Sequence, residues 1–296
     1  MKKMMSASWM AATVAIGMIV SAPVRAAEIA VKDGQKIAFM GDSITQAGAG
    51  PTGSVTLVMR ALEANGVKAT SIPAGISGHK SNDMLGRLDN DVLNKKPDWM
   101  TLSCGVNDVW HGANGVPLED YKKNITSIVD KAQTAGVKVV ILTSTMIGED
   151  QPNPNNQKLV AYNDFLRTMA KDKKCLLADL NAEMQNMLAE MAKAQPNSGN
   201  GNHLTADGVH MNFAGNQMMA VGVLKGFGLN AAELTKATNA WLDIPNATTV
   251  AAKMDLTGRQ AKQLEKLAAE RKTSVDKLVN EEFGKLVDTL LKSNKH

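Results

Sequence analysis

The stretch "VKVVILTST", Val137 to Thr145, decides how this chain is read. It is apolar and β-branched almost without interruption, as expected of a strand covered on both faces. Strands of that kind belong to parallel sheets flanked by crossover helices. Immediately before it, "LEDYKKNITSIVDKAQTAG" (Leu118 to Gly136) has helical spacing and stops at a glycine. The same pattern occurs upstream in "SVTLVMRALEANG", Ser54 to Gly66. Both glycines sit where a helix C-terminus wants them.

Four further apolar runs alternate with helix-like segments: Lys36 to Met40, Ala69 to Ile72, Trp99 to Cys104 and Cys175 to Leu180. Alternation of this kind predicts βαβ units, and therefore an α/β domain of three layers, α/β/α, around a doubly wound parallel sheet of five strands. The pattern holds from about residue 29 to about residue 228. In such a sheet ligands sit beyond the carboxyl ends of the strands. Candidate functional residues therefore lie just after each run, in Gly41-Asp42-Ser43, "PAGISGHKS" (73 to 81), "GVNDVWHG" (105 to 112) and "MIGEDQPNPNN" (146 to 156). A later polar loop, "QPNSGNGNHLTADGVHMN" (195 to 212), leads into the apolar helix "AGNQMMAVGVLKGF".

The N-terminus carries Lys2 and Lys3, then an apolar run from Trp9 to Val20, then Val24-Arg25-Ala26. This predicts a secretory signal peptide over residues 1–26, cleaved near Ala26, with a periplasmic or extracellular mature protein. The run is short for a membrane span and no other long apolar stretch follows, so stable membrane insertion is not expected. Of 33 basic residues, Lys2, Lys3 and Arg25 go with the leader, which leaves 30 against 29 acidic ones. A nearly neutral mature chain gives no support for nucleic acid or an anionic membrane as partner. Two cysteines, Cys104 and Cys175, do not make a disulfide scaffold, and both are expected as buried free thiols. From residue 229 to 296 the pattern becomes helical with mixed charge, and two helices are expected to join near Arg271 to Ser274, with Thr273 or Ser274 as cap. The spacing faintly resembles a ribbon-helix-helix module. Interspersed acids and export favour a packing or dimerising hairpin, through which the chain could form a homo-oligomer.

Acyl transfer by serine requires an exposed hydroxyl, a base within reach, a group that orients the base, and donors for the oxyanion. The rim supplies a candidate for each. Ser43 follows the first run, and Gly41 permits a tight path before it. Asp207 and His210 stand three apart in "ADGVHMN", close enough for the carboxylate to hold Nδ1–H and leave Nε2 free to accept a proton. Asn107 offers a side-chain amide and Gly78 an unobstructed backbone N–H. Each of these also has an ordinary structural use as a turn, cap or loop residue.

Taken jointly and in this order, "GDSIT" (41 to 45), "GISG" (75 to 78), "GVND" (105 to 108) and "DGVH" (207 to 210) resemble the four motif blocks of the SGNH or GDSL hydrolases, serine esterases and lipases. The resemblance spans about Lys36 to Phe227 and makes 27–228 the hydrolase domain. It implies a flavodoxin-like sheet, Ser43 as nucleophile, His210 as base and then acid, and Asp207 as the orienting group. It also implies an oxyanion hole from the Ser43 N–H, the Gly78 N–H and the Asn107 side chain, with no metal and no organic cofactor. Ile44, Pro73 and Met211 depart from common family choices without removing a reacting atom.

Asp42, Trp110 and His111 are the candidate substrate contacts. His79, His111, His203 and His210 all fall in rim loops, which raises a metal-hydrolase alternative, but their spacing matches no compact ligand signature. The preferred reading is an exported esterase that removes small acyl groups, foremost O-acetyl, from carbohydrate. A lysophospholipase or broad lipid esterase is the nearest rival, and a non-catalytic glycan-binding protein on the same fold is the alternative of another class.

Overall fold

A computed structural model of the chain describes residues 28–194, 202–245 and 255–293. The signal peptide expected at 1–26 lies outside the described residues. The chain divides into two compact units, Met1–Ala247 and Thr248–His296.

In the first unit the order is β1 (Lys36–Gly41), α1 (Ser43–Gly48), α2 (Ser54–Ala64), β2 (Thr70–Gly75), α3 (Ser81–Asp91), β3 (Trp99–Ser103), α4 (Val106–Trp110), α5 (Leu118–Thr134), β4 (Lys138–Leu142), α6 (Pro154–Asp172), β5 (Leu176–Ala178), α7 (Leu180–Ala194), α8 (Phe213–Gly226) and α9 (Ala231–Asn239). The five strands form one parallel sheet in the order β2-β1-β3-β4-β5. Val139 to Leu142 are buried without alternation, as a strand sandwiched between helix layers must be. Edge strands β2 and β5 are only half-buried. An edge is where Pro73 can sit inside β2, since its missing N–H need not deprive a second neighbour.

Packing groups α3, α5 and α6 together and α1, α2, α8 and α9 together, as expected of two helix layers on opposite faces of a parallel sheet joined by right-handed crossovers. Strand order reverses at β1, with β2 added on one side and β3 on the other, so the crevice beyond the carboxyl ends of β1 and β3 is the switch point where such sheets bind ligands. Asp42-Ser43 and Gly105-Asn107 flank that crevice. Aromatic pairs lock the layers: Trp99 meets Phe227 edge-on at 5.6 Å, and Tyr121 packs on Tyr162 at 4.8 Å.

Three expectations shift. The fifth strand ends at Ala178 rather than reaching Leu180, because Asp179 turns the chain: its carbonyl accepts from Glu183 N and its carboxylate from Ala182 N at 3.3 Å. Cys104 is a buried free thiol, but Cys175, just ahead of the edge strand, is partly exposed. Residues 229–245, grouped by pattern with the C-terminal helices, pack instead in the first unit. Trp241 is fully buried there, its indole N–H donating to Leu57 O at 3.1 Å, while Asn65 Nδ2 donates to Glu233 O at 3.1 Å.

The second unit holds α10 (Gly258–Glu270) and α11 (Val275–Ser293), packed on each other. Thr257 and Gln260 form a reciprocal cap at the start of α10, and Ser274 Oγ accepts from Lys277 N to cap α11. No helix among the described residues is long and apolar enough to cross a membrane.

Candidate active site

The turn after β1 is built by close approach. A Cβ at Gly41 would lie 2.0 Å from Thr45 Oγ1 and 3.2 Å from Ser103 O, so only glycine lets β1 pass directly into α1. Asp42 then caps α1, its Oδ1 accepting from Ile44 N at 2.9 Å, and Ser43 becomes the first helical residue. At that position the Ser43 N–H has no partner inside its own helix. Gly75, at the end of β2, is held by the same packing, because a Cβ there would lie 2.3 Å from Gln46 N.

Arg87, from α3, fastens two strand ends and a loop. Its guanidinium donates to Gly41 O at 2.8 Å, Ala74 O at 2.9 Å and His79 Nδ1 at 3.0 Å, and pairs with Asp91 at 2.9 Å. Gly78 takes φ +75°, and among the described residues its N–H has no acceptor. The loops after β2 and β3 are joined by Asn107, which is 5% exposed and donates from Nδ2 to His79 O at 3.2 Å. His111 donates from Nε2 to Asn107 Oδ1 at 3.2 Å, which fixes the amide so that its nitrogen faces the loop of Gly78 and His79.

Asp207, Gly208, Val209 and His210 form a tight turn closed by a bridge between Thr205 and Met211. Asp207 Oδ1 accepts from the N–H groups of Val209 at 3.0 Å and His210 at 2.7 Å. Its Oδ2 accepts from His210 Nδ1–H at 2.6 Å, and His210 Nε2 accepts from the Ser43 hydroxyl at 2.8 Å. The imidazole and backbone donors of His210 hold the Asp207 carboxyl down at about 2, so it stays ionised at any ordinary pH. Ser43, His210 and Asp207 are thus brought into one hydrogen-bonded line. Such a line lets a hydroxyl lose its proton to imidazole while a fixed negative charge balances the imidazolium.

Below the turn lie two carboxyl groups that the sequence did not mark as a pair. Asp42 is 2% exposed, and burial, aided by the nearby Asp108 charge, pushes it up to about 6. Asp108 is also buried and raised by that burial, though Ser81 N donates to it at 3.0 Å. Asp42 therefore does not face the crevice as a substrate contact would. Its work is the cap on α1. Trp110 and His111, the other two expected contacts, are both exposed at the end of α4. Among the described residues no three of His, Cys, Asp or Glu converge as metal ligands.

Glu149 carries no recognisable motif, yet its carboxylate accepts from His203 N, Leu204 N, Thr205 N and Thr205 Oγ1 at 2.6 to 2.8 Å. Nothing local in "MIGEDQPNPNN" marks it, since its partners are more than fifty positions away.

The GDSL-like lipase/acylhydrolase family model matches residues 39–218. An acetylxylan esterase of Geobacillus stearothermophilus is 27% identical over 220 residues, covering 67% of this chain and 96% of that protein. The crystal structure of an acetyl xylan esterase, AlAXEase, superposes with a TM-score of 0.59 at 36% identity, over 64% of this chain and 98% of the other. LAE5, an alpha/beta hydrolase enzyme from the metagenome of Lake Arreo, Spain, gives a TM-score of 0.61 at 27% identity, over 69% and 100%.

Proposed function

The chain belongs to the GDSL-like lipase/acylhydrolase family and is a carboxylic-ester hydrolase, and from that premise we propose that it removes O-acetyl groups from carbohydrate through an acyl-enzyme on Ser43. His210 Nε2 takes the proton as Ser43 Oγ bonds to the ester carbon. Negative charge moves to the carbonyl oxygen, which accepts from the N–H groups of Ser43 and Gly78 and from Asn107 Nδ2. Asp207 holds Nδ1–H and keeps the imidazole in the tautomer that can accept. When the intermediate collapses, the sugar oxygen leaves with the proton from His210. Water, deprotonated by His210, then attacks the acetyl carbon, releasing acetate and restoring the Ser43 hydroxyl.

The reading rests on one observation, the continuous line from Ser43 Oγ to His210 at 2.8 Å and from His210 to Asp207 at 2.6 Å. Acetylated xylan or a related glycan is the substrate class, supported by the acetylxylan esterases to which the chain is similar. Export, expected from the N-terminal segment, would place the enzyme where such glycans occur. Acetate release from acetylated xylo-oligosaccharides, compared with hydrolysis of octanoyl and longer esters, tests the choice. Preference for acetyl supports it. Strong preference for long acyl chains makes the enzyme a lipid esterase instead, and no turnover of any ester makes it a binding protein.

A further inference from the structure

We propose that Glu149 is a positioning residue for the Asp207–His210 pair, and the proposal rests on the assignment of His210 as the base for Ser43. The turn that carries both residues is closed at its base by the Thr205–Met211 bridge and by Ala206 N donating to His210 O at 2.8 Å. Glu149 grips the arm that enters this turn. Its Oε2 accepts from His203 N at 2.6 Å, and its Oε1 accepts from Leu204 N at 2.8 Å, Thr205 N at 2.7 Å and Thr205 Oγ1 at 2.6 Å. The Thr205 hydroxyl passes the contact on, because it also accepts from Gly208 N at 3.1 Å. Next to Glu149, Gly148 N donates to Gly208 O at 2.6 Å.

The grip has a rigid origin. Asn156, near the start of α6, accepts from Ile147 N at 2.8 Å and donates to Ile147 O at 3.0 Å and Asp150 O at 2.8 Å. The loop after β4 is therefore fixed by β4 and α6, and it sets where the Asp207–His210 turn stands relative to Ser43 at the end of β1. Only a carboxylate suits this place. Four donors converge on two oxygens, and an amide would turn an N–H toward another N–H. A displacement of the imidazole by about 1 Å is enough to cost about a hundredfold in rate.

The test uses the full-length protein, with p-nitrophenyl acetate as substrate, and the variants Glu149→Gln, Thr205→Val, Thr205→Ser and Ser43→Ala. E149Q and T205V are expected to lower kcat by about 10²-fold with KM within about threefold, and T205S to recover to within about threefold of the parent. The downfield proton resonance of the His210–Asp207 hydrogen bond should move upfield or vanish in E149Q and T205V and return in T205S. A merely structural brace would lower the melting temperature without that pattern. Should E149Q fail to fold, the T205V and T205S pair decides. Unchanged kcat in a folded E149Q, or equal losses in T205V and T205S, overturns the role of Glu149. Activity surviving in S43A would instead overturn the reading of Ser43, whereas a dead S43A beside a fully active E149Q removes Glu149 alone.

Discussion

His210 Nε2 lies 2.8 Å from Ser43 Oγ across a separation of 167 residues. The two meet because their flanking helices are tied together. Asn212 Oδ1 caps α8 by accepting from Gly215 N at 3.0 Å, and Asn216 on the same helix accepts from Ser54 N at the start of α2 at 2.9 Å. Packing of α8 against α2 thus brings the turn of Asp207 and His210 over the carboxyl end of β1.

Removing parts of this line should not give additive losses, because the three side chains act as one unit. His210→Ala is expected to lower kcat by about 10⁴-fold or more, and Asp207→Ala by less. The double variant should lose no more than H210A. Steady-state kinetics of the three proteins checks this, and a double variant that multiplies the two losses would mean that the residues act separately.

Burial of Asp42 makes stability depend on pH in a particular direction. The folded protein holds this proton up to about 6, whereas the unfolded chain releases it near the ordinary aspartate value of 3.8. Between those values the native state binds more protons than the unfolded state, so this group's contribution to stability falls as pH rises, and it levels off above about 6. Asp42→Asn keeps an oxygen for the Ile44 cap and cannot ionise. Its stability relative to the parent should therefore rise by on the order of 3 kcal/mol between pH 4 and pH 7.5. Denaturant unfolding at both pH values measures it, and a difference that stays flat contradicts the buried charge.

Two glycine substitutions separate crowding from freedom. Gly41→Ala puts a methyl group 2.0 Å from Thr45 Oγ1, and such overpacking costs about 1–3 kcal/mol while displacing Ser43. Gly86→Ala, in α3 with open space around it, should stabilise by about 0.5–1 kcal/mol. Thermal melting and esterase assays of both variants decide, and a G41A protein with parental activity would show that the turn tolerates a side chain.

Prolonged treatment with a chelator should leave ester hydrolysis unchanged, because the proposed chemistry is carried by side chains and backbone N–H groups of the protein itself. Activity lost to the chelator and restored by a divalent metal would favour the metal-hydrolase alternative.

The legible parts of the fold were those in which one stretch of chain carries its own signal. "VKVVILTST" shows burial on both faces within nine letters, and the helices ending at Gly66 and Gly136 show their stops, with φ of +85° and +78°. Residues spaced as motif blocks were legible for the same reason. What was not legible depends on distant partners. Glu149 is an ordinary loop acid until the backbone of 203 to 205 reaches it, and Asp42 passes for a surface turn residue until Asp108 closes in beneath it. The place of Trp241 was hidden likewise, since the carbonyl that takes its indole N–H is that of Leu57 on α2, far back along the chain.

The most direct measurement is where a serine-reactive phosphonofluoridate attaches, read by peptide mass mapping with and without His210. The account predicts one adduct on Ser43 in the parent protein and almost none in His210→Ala, since the hydroxyl is reactive only while the imidazole accepts its proton. An adduct on another residue, or equally rapid labelling of Ser43 in H210A, would contradict it.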